Sequence, residues 1–415
     1  MVIRDCLYIL LLILSVPFWL KYILNKNYRR LLKNRLRPQL AVCPERSIWI
    51  HAVSVGEVRS LKSLIQQLGD KGHRIVLSVT TPAGLEFARR EYPTIAVINA
   101  PLDFSFSVRR FINCINPRLV IFNELEIWPN WITLLHRRRI PMLLINGRIS
   151  EAAFVRYRFF NFILRPFFRR IDCFLVQNTI YKKRFLQLKI PAEKIKVCGN
   201  IKADEADLSR QKMPVPGEVR SHLHLQAITK KIVVLASSHN ACEKILIPAI
   251  KPLSATYFFI IVPRHVQRTP AIAGQMRRLG LKCTVFSQTK SMDPETQVLI
   301  YDRMGYLFPI MSISDIVFMG GTFDPKIGGH NLYEPAAMGK AILGGPFYNN
   351  FPDIGSELEE NGVYHRVNNN SELLEFLRNF PEKNMKPIND RALNAILRRK
   401  GSISCSLKQI QRFLD

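Results

Sequence analysis

At 415 residues, 47% of them hydrophobic and 10% aromatic, the chain is too long for one ordinary core and too apolar for disorder, so two domains are expected. A formal net charge of +28, from 60 Lys+Arg against 32 Asp+Glu, directs it to polyanions: nucleic acid, an anionic membrane surface or phosphorylated substrates. Eight cysteines without a C-x-x-C pair fit a reducing compartment and speak against a zinc site or a disulfide framework.

The first residues bear on which polyanion is meant. Cys6 to Leu20 reads CLYILLLILSVPFWL, apolar and uncharged, and Lys21 is placed to snorkel, which extends the run to Leu24. No Asp or Glu occurs between Asp5 and Glu45, and the basic stretch KNYRRLLKNRLRPQ follows the run. A cleaved signal peptide calls for a small-x-small site that is missing here, and a buried core helix would not carry so basic a flank. Residues 1–24 are therefore expected to be a membrane anchor with its basic flank on the cytoplasmic side. The run is short for a full span and Pro17 is set to kink it, which leaves open a helix that only dips into the bilayer.

Beyond the anchor, short β-branched or aromatic runs alternate with longer helix-like stretches. The strand candidates of 25–210 are SIWIHAV, RIVLSV, IAVIN, RLVIFN, PMLLIN, DCFLVQ and KIKVCG. At 211–217 the text becomes QKMPVPG, a Pro-rich linker. The pattern then restarts over 218–388 with KIVVLAS, YFFIIV, KCTVFS, QVLIYD, DIVFMG and KAILGG. Such alternation places the chain in the α/β class, with parallel sheets joined by right-handed crossovers. Two such runs across a joint imply two Rossmann-like domains facing a cleft. The segment 389–415 is helix-like and basic, and packing back on the first domain is one place for it.

Ligands of such sheets sit beyond the carboxyl ends of the strands, so the residues after each strand carry the functional argument. After SIWIHAV comes Ser54-Val55-Gly56-Glu57: Glu57 either complements a helix dipole or serves as a general base. A helix N-terminus lowers a carboxylate's pKa, so Glu57 is expected to be ionised near neutrality. After RLVIFN come Glu124 and Glu126, two apart. On an extended segment they point the same way, to share a proton, hold a metal or cap the helix near Pro129. Arg148 follows PMLLIN as a candidate for a substrate anion, and Lys202 follows KIKVCG as a partner for developing negative charge. In the second half, His239 and Glu243 form an H-x-x-x-E pair without a third ligand motif nearby. Arg264, directly after YFFIIV, suits a phosphate or carboxylate. The stretch GGHNLYE, Gly328 to Glu334, reads as a glycine turn before a helix starting near Asn331. That start either caps itself or holds a nucleotide phosphate, with Glu334 accepting from ribose hydroxyls. FVRYRFFNFILRPFFRR is either a helix with core aromatics and solvated arginines or a surface for a phosphorylated, membrane-borne acceptor. Nucleic acid is a poor fit, since neither an RNP-type motif, zinc spacing nor a zipper occurs.

Taken in order, HAVSVGE, ELEIWPN, GNIKAD, SSHNACE, VPRH, FMGGT and GGHNLYE resemble the bacterial Kdo transferases, which attach 3-deoxy-D-manno-octulosonic acid to a lipid A precursor. The resemblance runs from the anchor to beyond Gly345. It implies two Rossmann-like domains of the GT-B type at the bacterial inner membrane, catalytic domains on the cytoplasmic face, and an inverting transfer from CMP-Kdo without metal or cofactor. It places the general base at Glu57 and transition-state stabilisers at Glu124 and Lys202. CMP contacts fall on Pro263, Arg264, Met304, Gly305, Tyr306, Leu307, Asn331, Leu332, Tyr333 and Glu334. The chain departs from the family at Tyr306, where many members carry an acidic residue, so Tyr306 is tied to the nucleotide through its backbone alone. A GT-B transferase using another nucleotide-sugar donor is the alternative.

Overall fold

The computed structural model describes residues 5, 8, 26–38, 40, 42–380 and 385–415. The expected anchor at 1–24 lies outside the described residues apart from Asp5 and Tyr8. Among the described residues no helix is long and apolar enough to cross a membrane.

The chain divides into two compact units, 1–205 with 401–415, and 206–400. In the first, β1 (Ser47–Ala52), β2 (Ile75–Val79), β3 (Ala96–Asn99), β4 (Pro117–Asn123), β5 (Met142–Gly147), β6 (Cys173–Val176) and β7 (Ile195–Val197) form a sheet ordered β3-β2-β1-β4-β5-β6-β7. In the second, β8 (Lys231–Ser238), β9 (Tyr257–Pro263), β10 (Cys283–Val285), β11 (Val298–Ile300), β12 (Ile316–Met319), β13 (Ala341–Gly344) and β14 (Tyr364–Arg366) are ordered β10-β11-β9-β8-β12-β13-β14. All pairings are parallel. Both units are thus Rossmann-like. Every apolar run read as a strand forms one, because helices cover both faces and a continuous β-branched run is what such a strand requires. The strand β14, which is not among the expected apolar runs, pairs with β13 through the register Ile342 to Tyr364.

Strand order reverses between β1 and β4 in the first sheet and between β8 and β12 in the second. A crevice opens where neighbouring crossovers run to opposite faces, so the ends of these strands are where function is expected. Under the first crevice Trp49 of β1 and Trp131 lie 4.8 Å apart, both fully buried.

The boundary between units falls between Glu205 and Ala206, within the helix Ile201–Gln211 and upstream of the Pro-rich stretch. The segment 389–415 is shared: helix Lys386–Leu397 lies in the second unit, helix Ser402–Gln411 in the first. Asp204 ties the latter down, accepting from Gly401 N at 2.8 Å and Ile403 N at 2.7 Å. Cys198, after β7, is bonded to Cys405 on the same helix. The cysteine pattern had spoken against disulfides. Two cysteines separated by 207 residues leave no local spacing to read, and the fold alone brings them together.

Candidate active site

Ser54 ends the extended run of β1 and caps the short helix Val55–Ser60, its Oγ accepting from Glu57 N at 3.4 Å. Glu57 folds back over this cap. Its Oε2 accepts from Val53 N at 2.9 Å and its Oε1 from Ser54 Oγ at 3.2 Å. The Ser-x-x-Glu spacing is a helix-start signal, and here it also fixes the carboxylate at the first sheet's switch point. Glu57 does not have the low pKa expected from the helix dipole. Burial, then the charge of Glu124, pushes it up to about 7, with Glu126 adding to the rise against the Val53 and Ser54 hydrogen bonds. Desolvation and two neighbouring carboxylates outweigh one short helix terminus.

Glu124 follows β4 in the left-handed region at φ 63°, with its N–H donating to Ile145 O at 3.0 Å. A non-glycine residue held there is strained, and such strain gathers at functional positions. The turn separates the carboxylate pair that an extended segment would have aligned. Glu124 accepts from Arg148 Nε at 2.7 Å and lies 3.4 Å from Lys202 Nζ. Burial raises its pKa, but Lys202 and Arg148 together prevail and hold it below the ordinary carboxylate value. Glu126 turns to other partners: its Oε2 lies 3.0 Å from His51 Nε2 and accepts from Trp128 Nε1 at 2.8 Å. Arg148, expected to meet a substrate anion, is engaged with Glu124. Lys202 is set at the start of its helix by its own N–H donating to Asn200 Oδ1 at 3.0 Å, and Asn200 Nδ2 donates in turn to Gln177 Oε1 at 3.2 Å. Glu57, Glu124 and Lys202 are thus brought together within the first unit. His51, wholly buried in an apolar strand, was missed by sequence reasoning; a polar residue in the middle of SIWIHA was the signal available.

In the second unit, Pro263 closes β9, and Arg264 N donates to Ser238 O at 3.1 Å, leaving the guanidinium exposed beside the end of β8. His330 Nε2 and His239 Nε2 share a hydrogen bond of 2.7 Å, which joins the glycine turn to the end of β8. Burial, followed by His239, Arg264 and His265, pushes His330 down to about 3. The proton is refused chiefly because the ring is buried, with Arg264 nearby adding to the effect. Gly329 is required by packing: its φ is 83°, and a Cβ there would lie 3.0 Å from Phe347 O. The helix expected near Asn331 starts at Tyr333, with Asn331 Oδ1 accepting from Tyr333 N at 3.2 Å and Glu334 in the first turn. Leu332 and Tyr333 are buried, main chain included. Met304 is exposed and Gly305 takes φ 93°. The Tyr306 ring lies 4.3 Å from that of His222, and Leu307 opens the helix Leu307–Ser312.

The H-x-x-x-E pair is otherwise engaged. Glu243, fully buried, accepts from Ser238 Oγ at 2.7 Å and is paired with Arg268, while His239 bonds His330. Among the described residues no three His, Cys, Asp or Glu gather as a metal-ligand set. The stretch FVRYRFFNFILRPFFRR forms helices Glu151–Phe159 and Asn161–Phe168. Phe154, Phe167 and Phe168 enter the core, but Val155, Phe159, Phe160, Phe162 and Ile163 are exposed, Phe162 to 76%, beside exposed Arg156, Arg158 and Arg165. So large an apolar and basic surface exceeds the scattered hydrophobics of an ordinary face.

A family model described as 3-deoxy-D-manno-octulosonic-acid transferase (kdotransferase) matches residues 27–205. The chain is 33% identical over 341 residues to a 3-deoxy-D-manno-octulosonic acid transferase of Haemophilus influenzae, covering 80% of this chain and 78% of that one. It is 31% identical over 347 residues to a bifunctional glycosyltransferase/methyltransferase of Fusobacterium nucleatum, covering 82% of this chain but only 53% of that protein's length. A glycosyltransferase structure from Rickettsia africae matches with a TM-score of 0.59 at 15% identity, over 90% of this chain and all of that one, which speaks to the fold.

Proposed function

This chain belongs to the 3-deoxy-D-manno-octulosonic acid (Kdo) transferase family, and from that premise we propose that it moves Kdo from CMP-Kdo to a phosphorylated lipid A precursor, lipid IVA, on the cytoplasmic face of a bacterial inner membrane. The observation that carries this reading is the grouping of Glu57, Glu124 and Lys202 at the switch point of the first sheet. An acceptor hydroxyl attacks the anomeric carbon of Kdo while the bond from that carbon to the CMP phosphate oxygen breaks. Glu57 takes the hydroxyl proton, and CMP leaves with the electron pair. A group with a pKa of about 7 suits this exchange, being both available and basic enough near neutral pH. Glu124 and Lys202 form a fixed pair of opposite charges, the carboxylate serving positive charge at the anomeric carbon and the ammonium serving the anionic groups around it. One displacement with one base inverts the configuration, and no protein nucleophile is required.

The second unit holds the donor in this reading. Arg264 meets the phosphate, and the segments Met304 to Leu307, with Tyr306 through its backbone, and Asn331 to Glu334 meet the rest of CMP. The exposed Arg264 beside the end of β8 supports an anion there. No cofactor takes part, CMP-Kdo being a substrate. Glu124 already has Lys202 and Arg148 as counter-charges, which supports turnover without a metal; activity should survive EDTA. The apolar and basic surface over 155–165 fits an acyl chain beside phosphate groups, as a membrane-borne acceptor provides.

The test is to incubate the pure protein with CMP-Kdo and tetraacylated, bisphosphorylated lipid A precursor and weigh the products. A mass gain of one or more Kdo units is expected, and the same spectrum counts them. No gain, with UDP bound in preference to CMP by calorimetry, would move the chain to a transferase of the same fold with another donor.

A further inference from the structure

We propose that Glu126, held by His51 and Trp128, is a positioning residue of this site: it fixes the turn that carries Glu124 and sets a permanent negative charge against Glu57. The inference rests on the reading of Glu57 as the base and adds to it a residue whose part in the reaction is electrostatic.

The support begins in the core. Trp49 Nε1 can only donate, and it does so to Ser78 Oγ at 2.8 Å. Ser78 Oγ also lies 2.9 Å from His51 Nδ1, whereas its other acceptor, Ile50 O, is 3.5 Å away. The hydroxyl proton therefore goes to Nδ1, and Nε2 carries the ring's proton toward Glu126 Oε2 at 3.0 Å. Were Nδ1 protonated as well, Nε2 would still be a donor. His51 cannot swing away, being 1% exposed and packed edge-on against the Trp131 ring at 5.0 Å. The second donor to the same oxygen, Trp128 Nε1 at 2.8 Å, stands two residues along the turn, and its ring stacks on Trp131 at 6.1 Å. Two rigid aromatic donors on one oxygen hold the carboxylate in place.

The charge has a direction as well as a place. Glu57 faces the charges of Glu124, Glu126 and Arg148. Glu124 has Lys202 and Arg148 as counter-charges. Glu126 faces His51, Arg35 and Tyr157. Burial raises the Glu126 carboxyl, but His51, chiefly through its hydrogen bond, then Trp128 and Arg35 hold it below the ordinary value. It is thus ionised throughout the range in which Glu57 titrates, and its charge contributes to the raised proton affinity of Glu57. Without it the base would be weaker, and proton transfer from a sugar hydroxyl slower.

The geometry offers a clean variant. Both hydrogen bonds end on Oε2, so Glu126→Gln with its carbonyl oxygen in that place keeps both and removes only the charge. The experiment measures kcat/KM against pH, with CMP-Kdo and the dispersed acceptor, for wild type, Glu126→Gln, Glu57→Gln and Trp128→Phe. Glu126→Gln should move the rising acid limb downward by about half a unit to one unit and lower the plateau, while Glu57→Gln loses turnover at every pH. An unmoved limb in folded Glu126→Gln, with Glu57→Gln inactive, would overturn this proposal and leave the base assignment standing. Retained turnover in Glu57→Gln would bring down the base assignment itself, and this proposal with it. Trp128→Phe removes one donor and keeps the ring, so it tests the same hold should the Gln variant fail to fold. Its turnover should fall about threefold or more, and an unchanged rate and limb would equally overturn the proposal.

Discussion

At the scale of the residue, Glu57 carries two opposed demands. A helix start and two hydrogen-bond donors stabilise its ionised form, while burial and the charge of Glu124 oppose it and prevail. The native value of about 7 lies above the 4.5 of an unperturbed glutamate, so between these values the native state binds a proton that the unfolded chain releases. This group's contribution to stability therefore falls as pH rises through that window. Glu57→Gln should abolish the dependence and be the more stable protein at about pH 8, by on the order of 2 kcal/mol, with little difference at about pH 4. Denaturant titrations of both proteins across that range check it, and parallel curves would refute it. The position of Glu57 was legible in the sequence because strand, small turn and helix are local features. Its protonation was not, because it depends on burial in the folded chain and on Glu124 and Glu126, brought in from another strand. For the same reason the pairing of Arg148 with Glu124 was hidden: its place after a strand is visible in the text, but its partner is not.

At the scale of the element, buried charges hold loops to strand ends. Glu243 opens the long helix Asn240–Leu253 fully buried, with Ser238 and the partly exposed Arg268 as partners. Arg268→Ala leaves that carboxylate in the core without its counter-charge and should cost on the order of 3 kcal/mol. Adding Glu243→Gln should recover much of the loss in thermal unfolding, and absence of recovery would mean that Arg268 acts through packing. This use of Glu243 is why H-x-x-x-E was ambiguous in the sequence: spacing shows that two side chains share a helix face, not what already holds them. The strands followed almost entirely from apolar runs, since doubly covered parallel strands need such text. The three residues of β14 escaped because Arg366 and a half-exposed His365 break the run. The helix starts at Tyr333, two residues beyond the expected Asn331, because Asn331 bonds Tyr333 N from outside the helix.

At the scale of the whole molecule, the charge of +28 and the apolar surface over 155–165 are compatible with the proposed acceptor, which is anionic and lipidic. Phe162→Ser should raise the KM for dispersed acceptor about tenfold while leaving the KM for CMP-Kdo in place, since one aromatic ring removed from a lipid contact is worth roughly 1.5 kcal/mol or more. Equal KM values would detach this surface from the reaction. The bond between Cys198 and Cys405 belongs to this scale too, since only the closed fold brings residues 207 positions apart into reach.

One measurement tests the central step of the proposed transfer. Glu57→Gln keeps the size of the side chain and can still hydrogen-bond at the helix start, but it cannot accept a proton. Folding, CMP binding and Kdo transfer should be measured on one preparation. The protein should fold normally, bind CMP nearly as the wild type does, and transfer Kdo at least about a hundredfold more slowly, the usual cost of a lost positioned base. A folded, CMP-binding Glu57→Gln protein whose transfer rate falls less than about tenfold would contradict the account and shift the search for the base to Glu124.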